Sequence, residues 1–551
     1  MNKKIKVTIN KGKNVKVDYK AKVIDVLKSN NEDLEGVLAV RVNNEVKNLE
    51  SILYKNSEIE YVYFDGGDGY RVYSRTLKFI MYMALKELYK EADVEFVSTI
   101  NKDQFFKIKN MELTSEIIET IKDKMIEIIK SNMVIEKKVV DVQEAEVLYE
   151  ESGDKVKLEN ISNRTRSAVT MYFCNGMYNY FYGLLAPSTG CIKSFDLEIY
   201  RNGALLIIPE SLEEGMDFVK KPKETRLYDT FIKYNKFNEI LNVENVSNLN
   251  KMILTGSINK TVQSSEAIHQ RQIVELVQSI EKKKSVKMIL IAGPSSSGKT
   301  TFAQKLGVDL TLIGLNPITI SMDNYFVERK DTPLGPDGKY DFERVDSLDI
   351  ELFNAQMKAL LNGDRVELPE FDFIKGTKKY NGNFLKLKDN DILIIEGIHA
   401  LNPILTKFTD DNKKFKIYIA PIATLNIDGY TKVSSTDIRL LRRMVRDYVT
   451  RGHSVEKTFE LWKNVIIGEE KYIFPYMENV DAIFNSSLVY EASILKTFAQ
   501  PLLLQLNSNS IYYSEARRLY EFLNNFLPME TTSVPTDSII REFIGNGCFY
   551  R

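Results

Sequence analysis

Gly293-Pro294-Ser295-Ser296-Ser297-Gly298-Lys299-Thr300 fits the spacing G-x-x-x-x-G-K-[ST]. Its two glycines let the backbone wrap closely round an anion, with amide N–H groups and a helix start facing it. The context suits this reading: Val286–Ala292 is an apolar strand broken only by Lys287, and Thr301-Phe302-Ala303-Gln304-Lys305-Leu306 opens an amphipathic helix. The pattern predicts that residues 293–301 cradle the phosphates of ATP, that Lys299 reaches the β- and γ-phosphates, and that the Thr300 hydroxyl ligates Mg²⁺.

Two further acids stand where strands should end. Pro317–Ser321 reads as a strand running into Met322-Asp323-Asn324-Tyr325, and Ile392–Ile395 as a buried strand ending in Glu396-Gly397. The carboxyl ends of parallel strands face the ligand. Asp323 is thus placed to take a proton from an attacking hydroxyl or to help hold a metal, the other reading being a helix cap. Glu396 is placed to hold Mg²⁺. Further on, Arg439, Arg443 and Arg446 recur at i, i+4 and i+7 on one helical face, followed by Arg451-Gly452. With apolar residues on the opposite face, this helix is expected to act as a lid bringing positive charge onto a transferring phosphoryl group.

In this order the elements resemble the uridine kinase and phosphoribulokinase family over about residues 286–490, including Asp341-Phe342-Glu343-Arg344-Val345-Asp346 and Leu368-Pro369-Glu370-Phe371-Asp372-Phe373. The resemblance implies a P-loop fold that moves the ATP γ-phosphate onto a sugar hydroxyl. It implies Asp323 as catalytic base, Thr300 and Glu396 as Mg²⁺ partners, and Arg443, Arg446 and Arg451 as lid and phosphate arginines. Glu343, Phe371, Phe373, Arg443 and His453 fall at the family's acceptor positions. Four departures affect the acceptor pocket. Glu343 replaces a shorter Asp, Phe371 replaces a Tyr, Gly376 replaces a base-reading His, and Leu461 replaces a Gln; His453 stands at a position where a basic residue is usual. A site lacking such hydrogen-bonding groups loses discrimination by orders of magnitude. Transfer chemistry is expected to persist while pyrimidine selectivity is not.

The rest of the chain must carry this machinery. Its 551 residues exceed a single core, and a formal charge of −1 with 44% hydrophobic residues describes a globular protein without the basic excess of a dedicated nucleic-acid binder. Three cysteines, Cys174, Cys191 and Cys548, show neither metal-ligand spacing nor a disulfide framework. No apolar run reaches the roughly 18 residues that span a bilayer and the start is polar, so a cytoplasmic location is expected. Residues 1–65 alternate as ββαββ, a β-grasp pattern; 70–235 mix helices and strands as an α+β domain; 236–285 are a helical connector with an apolar docking stripe at Ile273, Val274, Leu276, Val277 and Ile280; 286–490 alternate strand and helix, predicting a parallel sheet covered by helices; 491–551 are a helical tail.

Residues 1–235 resemble the amino-terminal region of threonyl-tRNA synthetases, a TGS domain followed by an editing domain. The His-x-x-x-His pair of that family falls on Arg75 and Phe79, and its later Cys/His motif is reduced to Cys174, so the resemblance implies a degenerate unit without editing chemistry. Eight lysines in the first 22 residues are read as the wet face of an edge hairpin, with RNA contact the alternative. The leading expectation is an ATP-dependent kinase acting on a nucleoside or related sugar. The competing one is an RNA-binding or regulatory NTPase. Homo-oligomer formation is left open.

Overall fold

The computed structural model describes residues 3–100, 103–162, 167–212, 225–335 and 338–549. Lys4–Ile9, Lys13–Asp18, Ala39–Val42, Glu45–Lys47 and Ser57–Val62 form one sheet, with Ser57–Val62 central, parallel to Lys4–Ile9 and antiparallel to Ala39–Val42. Period-two alternation drives it: Ile5, Val7 and Ile9 point inward to meet Val23, Val26 and Leu27 of the helix Val23–Ser29. The short strand Glu45–Lys47 has only half-buried side chains and so carries no hydrophobic signal.

Helices Gly67–Leu88 and Ser115–Lys130 then cover a four-stranded antiparallel sheet built from Val94–Ile100, Asp103–Ile108, Asp196–Tyr200 and Gly203–Ile207. Ile118, Ile121, Met125 and Ile128 are the buried stripe of the second helix. A three-stranded sheet, Glu136–Asp141, Ala168–Cys174 and Met177–Asn179, packs against helices Val142–Ser152 and Lys155–Ser162.

Helices Thr225–Ile240, Val246–Leu254 and Ile258–Lys282 lead to the carboxy-terminal half. The expected docking stripe is largely in place: Ile273, Leu276, Val277 and Ile280 enter the main core, while Val274 points outward. That core flanks a five-stranded, all-parallel sheet ordered Asn316–Ser321, Asp391–Glu396, Met288–Ala292, Lys414–Ala420, Ala482–Asn485. A second core covers the other face. All five residues of Met288–Ala292 are buried, as a central parallel strand requires, each large side chain contributing roughly 1.5–3 kcal/mol.

The two halves are docked. The hairpin Asn426–Asp428/Thr431–Lys432 reaches the amino-terminal sheet, where the Phe96 N–H donates to Gly429 O at 2.8 Å and Asn426 Nδ2 to Glu95 Oε1 at 3.0 Å. Lys78 Nζ donates to Tyr430 O at 3.0 Å and lies 4.2 Å from the Phe96 ring centre; burial pulls its ammonium down to about 7. A chain of ion pairs, Arg71–Glu515 (2.9 Å), Glu515–Arg518 (2.7 Å) and Arg518–Asp437 (2.6 Å), ties helix Gly67–Leu88 through Tyr513–Leu523 to Ser435–Arg451. No described helix is long and apolar enough to cross a membrane.

Candidate active site

The loop Gly293–Gly298 connects the central strand to helix Lys299–Leu312 at the carboxyl ends of the strands. Gly293 leaves no room for a Cβ, which would strike the Ile419 carbonyl of the neighbouring strand, and Gly298 sits at φ 88°. Ser296 also adopts positive φ (60°). The hydroxyls of Ser296 and Ser297 are buried with no hydrogen-bond partner among the described residues, which fits a loop shaped for an additional polar ligand. Lys299 Nζ donates to the Gly293 and Pro294 carbonyls at 3.0 and 3.1 Å. Burial lowers its pKa, opposed first by Glu396 and then by Asp323.

Register places the two acids as expected. Ser321 pairs with Glu396 across adjacent parallel strands, and Asp323 follows in the 3-10 turn Met322–Tyr325, its backbone N–H capped by Ser321 Oγ at 3.4 Å. Asp323 is exposed and Glu396 buried. Burial, then the Asp323 charge, pushes the Glu396 carboxyl up to about 7, while Lys299 and a hydrogen bond from Ser321 pull it down. Two close carboxylates beside one lysine fit an added divalent cation. Among the described residues no group of three or more His, Cys, Asp or Glu side chains forms a metal cage by itself, so such an ion would take further oxygens from a bound phosphate or water.

The arginine helix differs from a free lid. Ile438, Leu440, Leu441, Met444 and Val445 lock Ser435–Arg451 into the main core. Arg439 and Arg442 are fixed by buried carboxylates from other elements, and Arg443, Arg446 and Arg451 by Asp447 of the same helix. Arg439 forks onto Glu469 at 2.7 and 2.5 Å and donates to Ser295 O at 3.2 Å, while the Ser295 N–H donates to the same Glu469 at 2.9 Å. Arg442, which the one-face reading passed over, is fully buried, pairing with Glu491 at 2.6 Å and donating to Ser296 O at 3.4 Å. Arg443 donates to Ser295 Oγ at 2.9 Å. Asp447, also unnoticed in the sequence, gathers Arg446 at 2.7 Å, Arg443 at 3.2 Å, Arg451 at 3.6 Å and His453 at 4.0 Å.

On the acceptor side, Glu343 packs so closely on Gly468 that a Cβ there would strike it. Burial pushes its carboxyl up to about 7, with Arg443 pulling the other way. Phe371 is buried, its N–H held by Asn324 Oδ1 at 3.3 Å, and Phe373 is exposed with ring centres 5.2 Å apart. Phe326 joins both rings, and the space beside Gly376 is filled by Arg329, whose Nη2 donates to Phe373 O at 2.5 Å. Arg329 carried no sequence signal for this position.

Residues 288–491 match the model of the phosphoribulokinase / uridine kinase family. A uridine kinase of Halobacterium salinarum is 26% identical over 194 residues, 35% of this chain and 77% of that protein. One from Chloroflexus aurantiacus is 28% identical over 200 residues, 36% of this chain and 85% of that protein. A solved D-glycerate 3-kinase from Cryptococcus neoformans var. grubii aligns with 36% of this chain and 87% of its own at 16% identity and a TM-score of 0.25. Residues 288–491 are therefore a domain of this family, and the chain is an ATP-dependent kinase.

Proposed function

We propose that the protein transfers the γ-phosphoryl group of ATP to a hydroxyl of a nucleoside or related sugar. The observation that supports this most strongly is the convergence of Lys299 with Asp323 and Glu396, a cradle cation beside two acids from the ends of adjacent parallel strands. In this reading Lys299 and the loop amides hold the β- and γ-phosphates, and Asp323 accepts the acceptor's hydroxyl proton. Thr300, Glu396 and Asp323 are the residues that would hold Mg²⁺, which when bound neutralises charge across the phosphate oxygens. Arg443 and Arg446, oriented by Asp447, face the transferring group, and Arg451 lies beside them. Glu343 receives sugar hydroxyls, with Phe371, Phe373 and His453 lining the acceptor space.

The amino-terminal segments are read with the kinase as a TGS-type β-grasp unit (1–65) and a degenerate editing-type α+β unit (70–235), joined by the connector 236–285 and closed by the tail 491–551, in a cytoplasmic protein. The test is ADP release from Mg²⁺·ATP with a panel of nucleosides and pentoses, with and without RNA. Acceptor-dependent release supports the kinase reading. RNA-dependent release without an acceptor would instead support a regulatory NTPase.

A further inference from the structure

The start of the phosphate-loop helix is already occupied by an anion from the far end of the chain. Glu542 Oε2 accepts the Thr301 N–H at 3.2 Å and the Thr301 hydroxyl at 2.9 Å. Thr301 is the third residue of helix Lys299–Leu312, so its N–H is among the first-turn donors that face an anion at a helix start. The carboxylate therefore uses the same donors as a phosphate oxygen would.

The contact is built by a packed segment. Ile539 and Ile540 are fully buried, and Ile539 covers Gly298 so closely that a Cβ on the glycine would strike it. Lys305 Nζ donates to Asp537 Oδ2 at 2.7 Å, and the Ser538 hydroxyl donates to Glu266. Arg541 turns back to donate to the Val534 and Thr531 carbonyls at 2.7 and 2.8 Å, and Phe543 lies 5.0 Å from the Arg442 guanidinium carbon. The short helix Arg541–Ile544 is thus held by Ile539, Ile540 and Phe543 with Glu542 directed at the loop.

We propose that the carboxy-terminal segment, residues 529–549, is an internal competitor for the phosphate cradle: Glu542 holds the Thr301 donors and must leave them before a nucleotide phosphate can take its place. This rests on the reading that the loop binds nucleotide. Two anions cannot share one N–H, and the loop already lies near the charges of Glu396, Asp323 and Glu469, so the exchange lowers apparent nucleotide affinity in the resting chain. Anything that draws the segment away raises that affinity, which makes the segment a brake on the kinase.

The experiment is calorimetric titration of the full-length protein with Mg²⁺·ATP, comparing the wild type with Glu542→Ala, Glu542→Gln and Lys299→Ala. A hydrogen bond to a charged group corresponds to roughly a ten- to hundredfold change in binding, so Glu542→Ala should bind ATP about that much more tightly, and Glu542→Gln more tightly by a smaller factor. Hydrogen exchange on the wild type gives a readout independent of the variants: saturating ATP should speed exchange across residues 537–545. Unchanged affinity in both Glu542 variants with unchanged exchange overturns the brake while leaving the nucleotide site standing. Weaker binding by Glu542→Ala also overturns it, because Glu542 would then support the bound nucleotide. If neither the wild type nor any variant binds ATP, the loop reading falls and the brake with it; loss of binding confined to Lys299→Ala shows the loop reading intact.

Discussion

Asp447, with no exposed surface, faces Arg443 across 3.2 Å from the middle of the helix that lines the phosphate loop. The same carboxylate accepts two hydrogen bonds from Arg446, at 3.0 and 2.7 Å, and lies 3.6 Å from Arg451. Burial opposes its ionisation, but Arg446, Arg443 and Arg451 outweigh it and hold its pKa below the usual carboxylate range. One acid thus orients Arg443, Arg446 and Arg451 together.

Asp447→Ala should therefore be costly. Removing one partner from a buried ion pair typically destabilises by about 3–5 kcal/mol, because the other charges are left uncompensated. Denaturant unfolding of the variant should show a loss of that order. Asp447→Asn keeps the shape and should lose less stability, with kcat falling more than ATP affinity. Wild-type kcat in Asp447→Asn would show that the arginines need no anchor.

The local half of this site was legible in the sequence because its signals are local. Strand, loop and helix adjoin between Met288 and Leu312, and Glu396 ends an apolar strand. The partners that organise the loop come from far away: Glu469 reaches Ser295 across 174 positions and Glu542 reaches Thr301 across 241. No periodicity announces such contacts. The same gap explains the lid expectation. Arginines at helical spacing read as the face of a lid when Glu469 and Glu491, which bury Arg439 and Arg442, are out of view. In the amino-terminal half the alternating strands were plain, but Glu45–Lys47 is only three residues long and half-buried throughout, so nothing marked it.

Lys299→Ala and Asp323→Asn should separate binding from chemistry. The first removes the cradle charge and should abolish turnover with weakened ATP binding. The second is nearly isosteric but cannot take a proton, so kcat should fall by ~10²–10⁴ with ATP affinity largely kept. Single-turnover rates and ATP titrations on both variants are the check; lost ATP binding with unchanged chemistry in Asp323→Asn would make Asp323 a metal or structural group only.

The acids of the site give a pH dependence of definite sign. Burial raises both Glu396 and Glu343 from 4.5 to about 7, Glu396 also through Asp323. An acid with a raised folded pKa favours folding in its protonated form. That contribution is fully present below about 4.5 and is lost as pH rises through about 7. The free protein should lose this part of its stability between pH 5 and 8, and Glu396→Gln should flatten the loss when unfolding is followed across that range. A catalytic role for ionised Glu396 requires kcat/KM to rise over the same interval in the wild type.

Acceptor choice should be broad. Gly376 and Leu461 stand at positions where pyrimidine-reading groups are expected, and each missing neutral hydrogen bond costs roughly 0.5–1.5 kcal/mol, more if a buried partner stays unpaired. Comparing kcat/KM for uridine, cytidine, adenosine, inosine and a free pentose should show no large uridine advantage. A preference above about a thousandfold would mean that other residues, Arg329 foremost, rebuild the discrimination.

The most direct measurement of the central claim is ADP release by the full-length protein with Mg²⁺·ATP, with each acceptor added or withheld, and with the phosphorylated product identified by mass. Phosphoryl transfer to a nucleoside or sugar hydroxyl accounts for ADP that appears only with acceptor, in equal amount to a product carrying one added phosphate, and that vanishes in Lys299→Ala. ADP released at the same rate without any acceptor, and with no phosphorylated product, would contradict it.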